Sequence, residues 1–257
     1  MNRDIDLSIS TYGVAGQAEY DMAILPWGAT EPHNLHLPYL TDSILAHDIA
    51  VDAAAYARDN YGTHVMVLPP VSMGAQNPGQ RDLHFCIHYS ETTQQAILRD
   101  IVASLHHQGI RKMLIVNGHG GNTFKGMIRD LAVVYPDFLI LSSEWFTVLP
   151  AKEWFDEPGD HADEVETSVM MHYHPELVRL DEAGKGQPHP FALQSLRDKV
   201  AWLPRHWTLV TDDTGIGDPH LATAEKGKRF AQAVAQKYAL LLKELADVKD
   251  ITDLYER

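Results

Sequence analysis

The chain of 257 residues has a single cysteine, Cys86. That excludes an intramolecular disulfide framework and any Cys-rich zinc site. No stretch approaches the ~18 consecutive apolar residues of a transmembrane helix. The N-terminus, MNRDIDLSIS, has no apolar core of signal-peptide length, so a cytoplasmic location is expected. Positive charge is scarce: 21 Lys and Arg stand against 35 Asp and Glu, a formal net charge of −14. This balance argues against nucleic-acid binding, which needs clustered basic residues, and against a polybasic membrane surface. Several catalytic signatures are also missing: G-x-S-x-G, the P-loop, H-E-x-x-H and the EF-hand loop.

What is present is ordinary in bulk and unusual in one respect. Hydrophobic residues make up 45% and charged residues 22%, as in a globular domain. There are fifteen histidines. No linker, repeat or low-complexity tract divides the chain, so residues 1–257 are expected to form one domain.

Short apolar runs predict strands over 22–27, 64–68, 112–116 and 137–141. Amphipathic stretches predict helices from Thr41 or Asp42 to about Arg58, from Ser90 or Glu91 to His107, and over 123–134, 162–173 and 221–246. Residues 144–160 and 181–217 read as irregular. This alternation predicts an α/β fold: three αβα layers, with a mostly parallel sheet covered on both faces. Ligands in such sheets bind beyond the carboxyl ends of the strands. Three segments therefore matter most.

The first follows strand one and runs from Gly28 to Asp42. Glu31 and His33 are two apart, which places them on one face of an extended segment. Asp42 opens the next helix, where a plain N-cap is the competing role. Glu, His and Asp together suit Zn²⁺, Mn²⁺ or Fe²⁺. His36 is open between hydrogen-bond support, substrate contact and a structural role. The second segment is Asn117-Gly118-His119-Gly120-Gly121-Asn122, whose glycines let the backbone approach a ligand closely. It does not match G-x-G-x-x-G and follows the third strand, but a nucleotide site is the competing reading. The third packs four acids and one histidine into residues 160–166. An exposed helix start accounts for Asp163 and Glu164. Glu166 falls beside a buried stripe, where an inward carboxylate needs a partner.

The turn-rich segment 72–89 is long enough to be a functional loop or lid, and His84 and His88 in it are further site candidates. Cys86 reads as a packed small hydrophobe. His106, His107, His172 and His174 lie at helix C-terminal ends, where a cation is favoured structurally.

Taken together, the three segments resemble the creatininase (creatinine amidohydrolase) family, from about Ile24 to about Lys228. The family's first motif, G-[ST]-x-E-Q-H-G-P-H-L-P-L-x-T-D, is matched by Gly28–Asp42. Its N-G-H-G-G-N is complete as Asn117–Asn122, and H-A-G-E-x-E-T-S is matched by His161–Ser168. A weaker fourth match begins at Gly215-Ile216-Gly217-Asp218-Pro219. The resemblance implies a creatininase-like fold. It implies that Glu31, His33, Asp42, His119 and Glu166 bind two divalent ions (Zn²⁺, Mn²⁺ or Fe²⁺), with Asp42 and a hydroxide as bridges. His161 would transfer protons. Apart from the resemblance, His36, His84, Gly120, Gly121 and Asn122 are candidates for substrate contact or for support of the ligands. The implied activity is metal-dependent amidohydrolysis of a non-peptide C–N bond in a small molecule, a cyclic amide such as creatinine or a formamide. A homo-oligomer, typically a hexamer, is implied as well.

The departures fall where substrate would be held. Pro32 and Asn34-Leu35 replace Gln and Gly-Pro, and Asp163 replaces Gly. The 72–89 loop lacks H-x-x-F-P-G-T and has Gln80-Arg81-Asp82-Leu83-His84 instead. The inferred ligands are spared, but creatinine as substrate does not follow. The family also includes formamide hydrolases and a peptidase-like member. Two other readings compete: a metal-stabilised binding protein without turnover, and a nucleotide-binding domain using the Asn117–Asn122 turn.

Overall fold

The computed structural model describes residues 2–256. Four strands, β1 (Met22–Trp27), β2 (Val65–Val67), β3 (Lys112–Asn117) and β4 (Leu139–Glu144), form one sheet. Every pairing is parallel, in the order β2-β1-β3-β4. Side chains alternate across the pleat, so the central strands β1 and β3 feed two cores. Ala23, Leu25, Trp27, Met113 and Ile115 point to one face. Met22, Ile24, Val65, Val67, Leu114 and Val116 point to the other. Burial on both sides explains why these strands read as continuous apolar runs rather than alternating ones.

Five longer helices cover the sheet: α1 (Thr41–Tyr61), α2 (Glu91–His107), α3 (Lys125–Val134), α4 (Glu164–Tyr173) and α5 (Ala224–Asp247). The first face receives α2 and α3 through Leu98, Val102, Leu105, Met127 and Leu131. The second receives α1, α4 and α5, with Phe230, Val234, Tyr238 and Leu242 of α5 fully or nearly buried. The three αβα layers are those expected. Among the described residues no helix is long and apolar enough to cross a membrane.

Element ends differ from the sequence reading for local reasons. β4 runs to Glu144 rather than stopping at Leu141, because Ser142 and Ser143 pair with Ile115 and Val116 of β3. Hydroxyl side chains hide that continuation from a hydrophobicity pattern. α3 begins at Lys125, with Phe124 in the N-cap position and its ring buried in the core. α4 begins at Glu164 because Asp163 caps it, accepting from Val165 N at 3.0 Å and Glu166 N at 3.1 Å. Residues 181–217 hold only short turns, including Gln194–Arg197 and Trp207–Val210.

The crossing of α4 and α5 depends on Gly227. A Cβ there would overlap the carbonyl of Ser168 on α4. In an open helix, Gly→Ala stabilises by about 1 kcal/mol. Here the neighbouring atoms are backbone and cannot give way. Gly227→Ala should therefore destabilise, by about 1–3 kcal/mol as for other overpacked sites. Denaturant unfolding measures the sign, and a stabilised variant would refute this account of the contact.

Candidate metal centre

Three chain segments converge beyond the carboxyl ends of β1 and β3. The loop after β1 brings Glu31 and His33, and the first turn of α1 brings Asp42. The turn after β3 brings His119. The segment leading into α4 brings His161, with Glu166 on the first turn of that helix. All six side chains are buried. Ligand-type atoms cluster in three triads: Glu31/Asp42/His119, His33/Asp42/Glu166 and Glu31/His33/His161. Within each, the atoms lie within 4.8 Å of one another. The first two triads share Asp42.

Each histidine is oriented by a backbone carbonyl. His33 Nδ1 lies 3.0 Å from the Glu31 carbonyl, His119 Nε2 lies 2.7 Å from that of Ala75, and His161 Nε2 lies 2.9 Å from that of Pro32. A ring nitrogen facing a carbonyl must carry the proton. In the neutral imidazole the other nitrogen is then a bare acceptor. Those bare nitrogens face carboxylates: His33 Nε2 is 2.8 Å from Asp42 Oδ1. His119 Nδ1 is 2.9 Å from Glu31 Oε1 and 3.1 Å from Asp42 Oδ2. Neither of those two carboxylate oxygens receives a hydrogen bond. Acceptors facing acceptors in a buried site require a proton or a cation between them. This carbonyl-oriented imidazole is also the usual support of a metal-ligating histidine. The donor set thus fits divalent cations.

The electrostatics agree. Burial disfavours charge on His33, but Asp42, Glu166 and Glu31 outweigh it and raise its pKa to about 10. Burial also opposes charge on His119, and Glu31 and Asp42 drive that ring well above its ordinary value. Burial acts against Glu31 and Asp42 too, yet the facing imidazoles hold both below the usual carboxylate range. Burial pushes Glu166 up to about 8, against the pull of His33 and with the help of Asp42. His161 differs: burial and the neighbouring His33 lower its pKa, which keeps it neutral. Its Nδ1 stands 3.7 Å from Glu31 Oε1, farther than the other contacts.

The remaining candidates separate. Asp42 is not the helix cap; Leu40 holds that position, and the Asp42 carboxylate turns inward. Asp163 and Glu164 do not form an exposed helix start. Both are buried, and Glu164 pairs with Lys226 of α5 while accepting from Glu157 N at 2.6 Å. His36 is buried, 2.8 Å from Thr167 Oγ1, and burial lowers its pKa to about 4. Asn122 braces the floor, bonding Ala75 N, the Gly28 carbonyl and Asn117 Oδ1. Gly121 lets the Ala75 carbonyl reach His119, since a Cβ would strike both. Gly120 faces open space. His84 is not brought to the cluster; its side chain is exposed, and its carbonyl accepts from Tyr39. His88 is exposed and accepts from Gln76 N. Burial, then Glu31, pushes the Cys86 thiol up to about 12, so it is not an activated nucleophile.

Two contributors were not singled out from sequence. Gln80 is buried against Glu31. Trp207 meets His161 edge-on, with ring centroids 5.2 Å apart. Gln80 sat in a loop already suspected of function, whereas Trp207 lies in a stretch without periodicity. A cavity of about 400 Å³ adjoins Asn117 and Asn122, with Lys125, Glu144 and Thr147 on its walls.

Fold and site together define a three-layer α/β protein with a buried carboxylate–imidazole centre suited to divalent cations. Comparison with known proteins specifies it further. The family model for Creatininase, creatinine amidohydrolase, matches residues 8–242. The chain therefore belongs to the creatininase family, a family of metal-dependent hydrolases. A crystal structure from Bacteroides fragilis NCTC 9343 that carries the creatinine amidohydrolase designation is 60% identical, with a TM-score of 0.96 and 100% coverage of both chains. A manganese creatininase structure shares the fold at 20% identity and a TM-score of 0.77, covering 95% of this chain and 99% of that one. The mycofactocin precursor peptide peptidase of Mycobacterium ulcerans is 31% identical, over 82% of this chain and 80% of its own length.

The crowded acceptors predict a pH signature in the metal-free protein. The folded pKa of His33, about 10, lies above its ordinary 6.5. Its contribution is complete below the unfolded pKa and is lost as pH rises through about 10. Glu166, raised from 4.5 to about 8, loses stability in the same direction. Calorimetry of chelated protein between about pH 7 and 9 should show Tm falling as pH rises. Saturating Mn²⁺ should flatten the slope. A flat profile without metal would contradict this reading of the buried cluster.

Proposed function

We propose that this protein is a binuclear metal-dependent amidohydrolase that cleaves a C–N bond beside a carbonyl. The single observation that carries the reading is the pair of triads, Glu31/Asp42/His119 and His33/Asp42/Glu166, joined through Asp42. Each would hold one cation, Zn²⁺, Mn²⁺ or Fe²⁺, and Asp42 would contribute one oxygen to each. When bound, such cations supply Lewis acidity, which polarises a carbonyl and allows water to act as nucleophile at neutral pH.

The chain's own residues do the rest. Three carboxylates would offset the cations' charge, and the carbonyl-anchored imidazoles of His33 and His119 keep the ligand geometry rigid. His161 is neutral, is held by Pro32, and keeps Nδ1 directed inward. It can take a proton and deliver it to the departing amine nitrogen. Trp207 shields that ring from bulk water. In the Asn117–Asn122 turn the backbone amides of His119 and Asn122 are already spent on Asn117 Oδ1 and the His119 carbonyl, which favours the metal reading over a phosphate cradle of backbone amides.

The substrate class is a small amide, with cyclic amides and formamides first. A relative named for a precursor peptide adds short peptides to the set worth testing. The protein is proposed to act as a cytoplasmic homo-oligomer. A second role for His161, as an additional ligand, is favoured by the third triad.

Alanine at Glu31 or His119 should remove the cation of the Glu31/Asp42/His119 triad and abolish hydrolysis with it. His161→Ala should retain two metal equivalents and lose about 10²–10⁴-fold in rate. Metal analysis beside a screen of lactams, formamides, guanidino compounds and short peptides checks this. Loss of one equivalent in His161→Ala would make that residue a ligand. Wild-type protein that takes up no divalent cation would sink the whole reading.

A further inference from the structure

The covering loop reaches the metal centre through one neutral side chain. Gln80 stands at the start of a short 3₁₀ turn, Gln80–Asp82, just after Gly79. It is 1% exposed, as is Glu31. Its Oε1 accepts from Asn77 N at 2.6 Å, and this fixes the orientation of the amide. Nε2 therefore faces the site, and it donates to Glu31 Oε2.

The two oxygens of Glu31 are thereby assigned different tasks. Oε2 is held by Gln80. Oε1 has no hydrogen-bond donor and faces His119 Nδ1 at 2.9 Å. A neutral donor restrains the carboxylate without cancelling its charge, whereas a Lys or Arg in this place would compete with a cation. The same loop is also tied to the His161 wall, because the Pro78 carbonyl accepts from Trp207 N at 2.7 Å and Gly79 lies against His206.

We infer that Gln80 is a positioning residue: it confines Glu31 to one-oxygen ligation and makes the affinity of the Glu31/Asp42/His119 site depend on the seating of the 72–89 loop. The inference rests on the metal-site reading above. Without Gln80, Glu31 can rotate and engage a cation with both oxygens.

Gln80→Met preserves bulk and removes the donor, and Gln80→Ala removes both. Titration calorimetry of metal-free protein with Mn²⁺ should show one of two sites weakened by about 10- to 100-fold, the usual effect of removing a ligand's supporting contact. The other site, which lacks Glu31, should keep its affinity. The visible absorption of the Co²⁺-loaded protein should weaken as coordination number rises. A purely structural role would lower the metal-free melting temperature without separating the two sites or changing the Co²⁺ spectrum. If both variants bind both equivalents as wild type does, with an unchanged spectrum, the role of Gln80 is overturned while the metal site stands. If wild type binds no cation, the metal-site reading and this inference fall together.

Discussion

The structure depends on an electrostatic conflict at Asp42. Its carboxylate is buried at the start of α1, against His33 on one oxygen and beside Glu31 and His119 on the other. Each imidazole has already spent its ring proton on a backbone carbonyl. Buried acceptors facing one another are unstable unless positive charge stands between them. The fold holds this arrangement in place from three directions. The parallel sheet ends two connections at one point, α1 begins there, and the first turn of α4 brings Glu166 in.

This conflict also gives the layers around the centre their roles. Carbonyls of Glu31, Ala75 and Pro32 select the tautomers. Asn117 and Asn122 brace the turn that presents His119. Gln80 and Trp207 close it from the loop side. The replacement of Gly by Asp163 in the third motif has a local reason too: the side chain caps α4 and accepts from Gly159 N at 2.5 Å. What first looks like a departure at the substrate side is a helix cap that steadies Glu166. The altered 72–89 loop similarly supplies Gln80 in place of the family's usual pattern there.

The histidine count is mostly a matter of structure. His106 pairs with Asp137 at 3.0 Å and His174 with Asp48 at 2.8 Å, both away from the centre. His84 and His88 are exposed. Among the described residues only His33, His119 and His161 converge with the carboxylates, and no count could separate these from the rest. Motif position did, because it placed each after a strand or before a helix.

The sequence by itself determined the alternation of strands and helices, because apolar runs and amphipathic stretches are local properties of the chain. It also determined which side chains are available as ligands, since Glu31, His33, Asp42, His119 and Glu166 lie in recognisable motifs. Only the tertiary structure decided how they group. Sharing of Asp42 between two triads, burial of Glu164 by Lys226, and the reach of Gln80 to Glu31 join residues tens of positions apart. Such contacts follow from how parallel strands bring distant connections to one edge of the sheet. No periodicity within a segment encodes them. The end of β4 was set the same way, by pairing with β3.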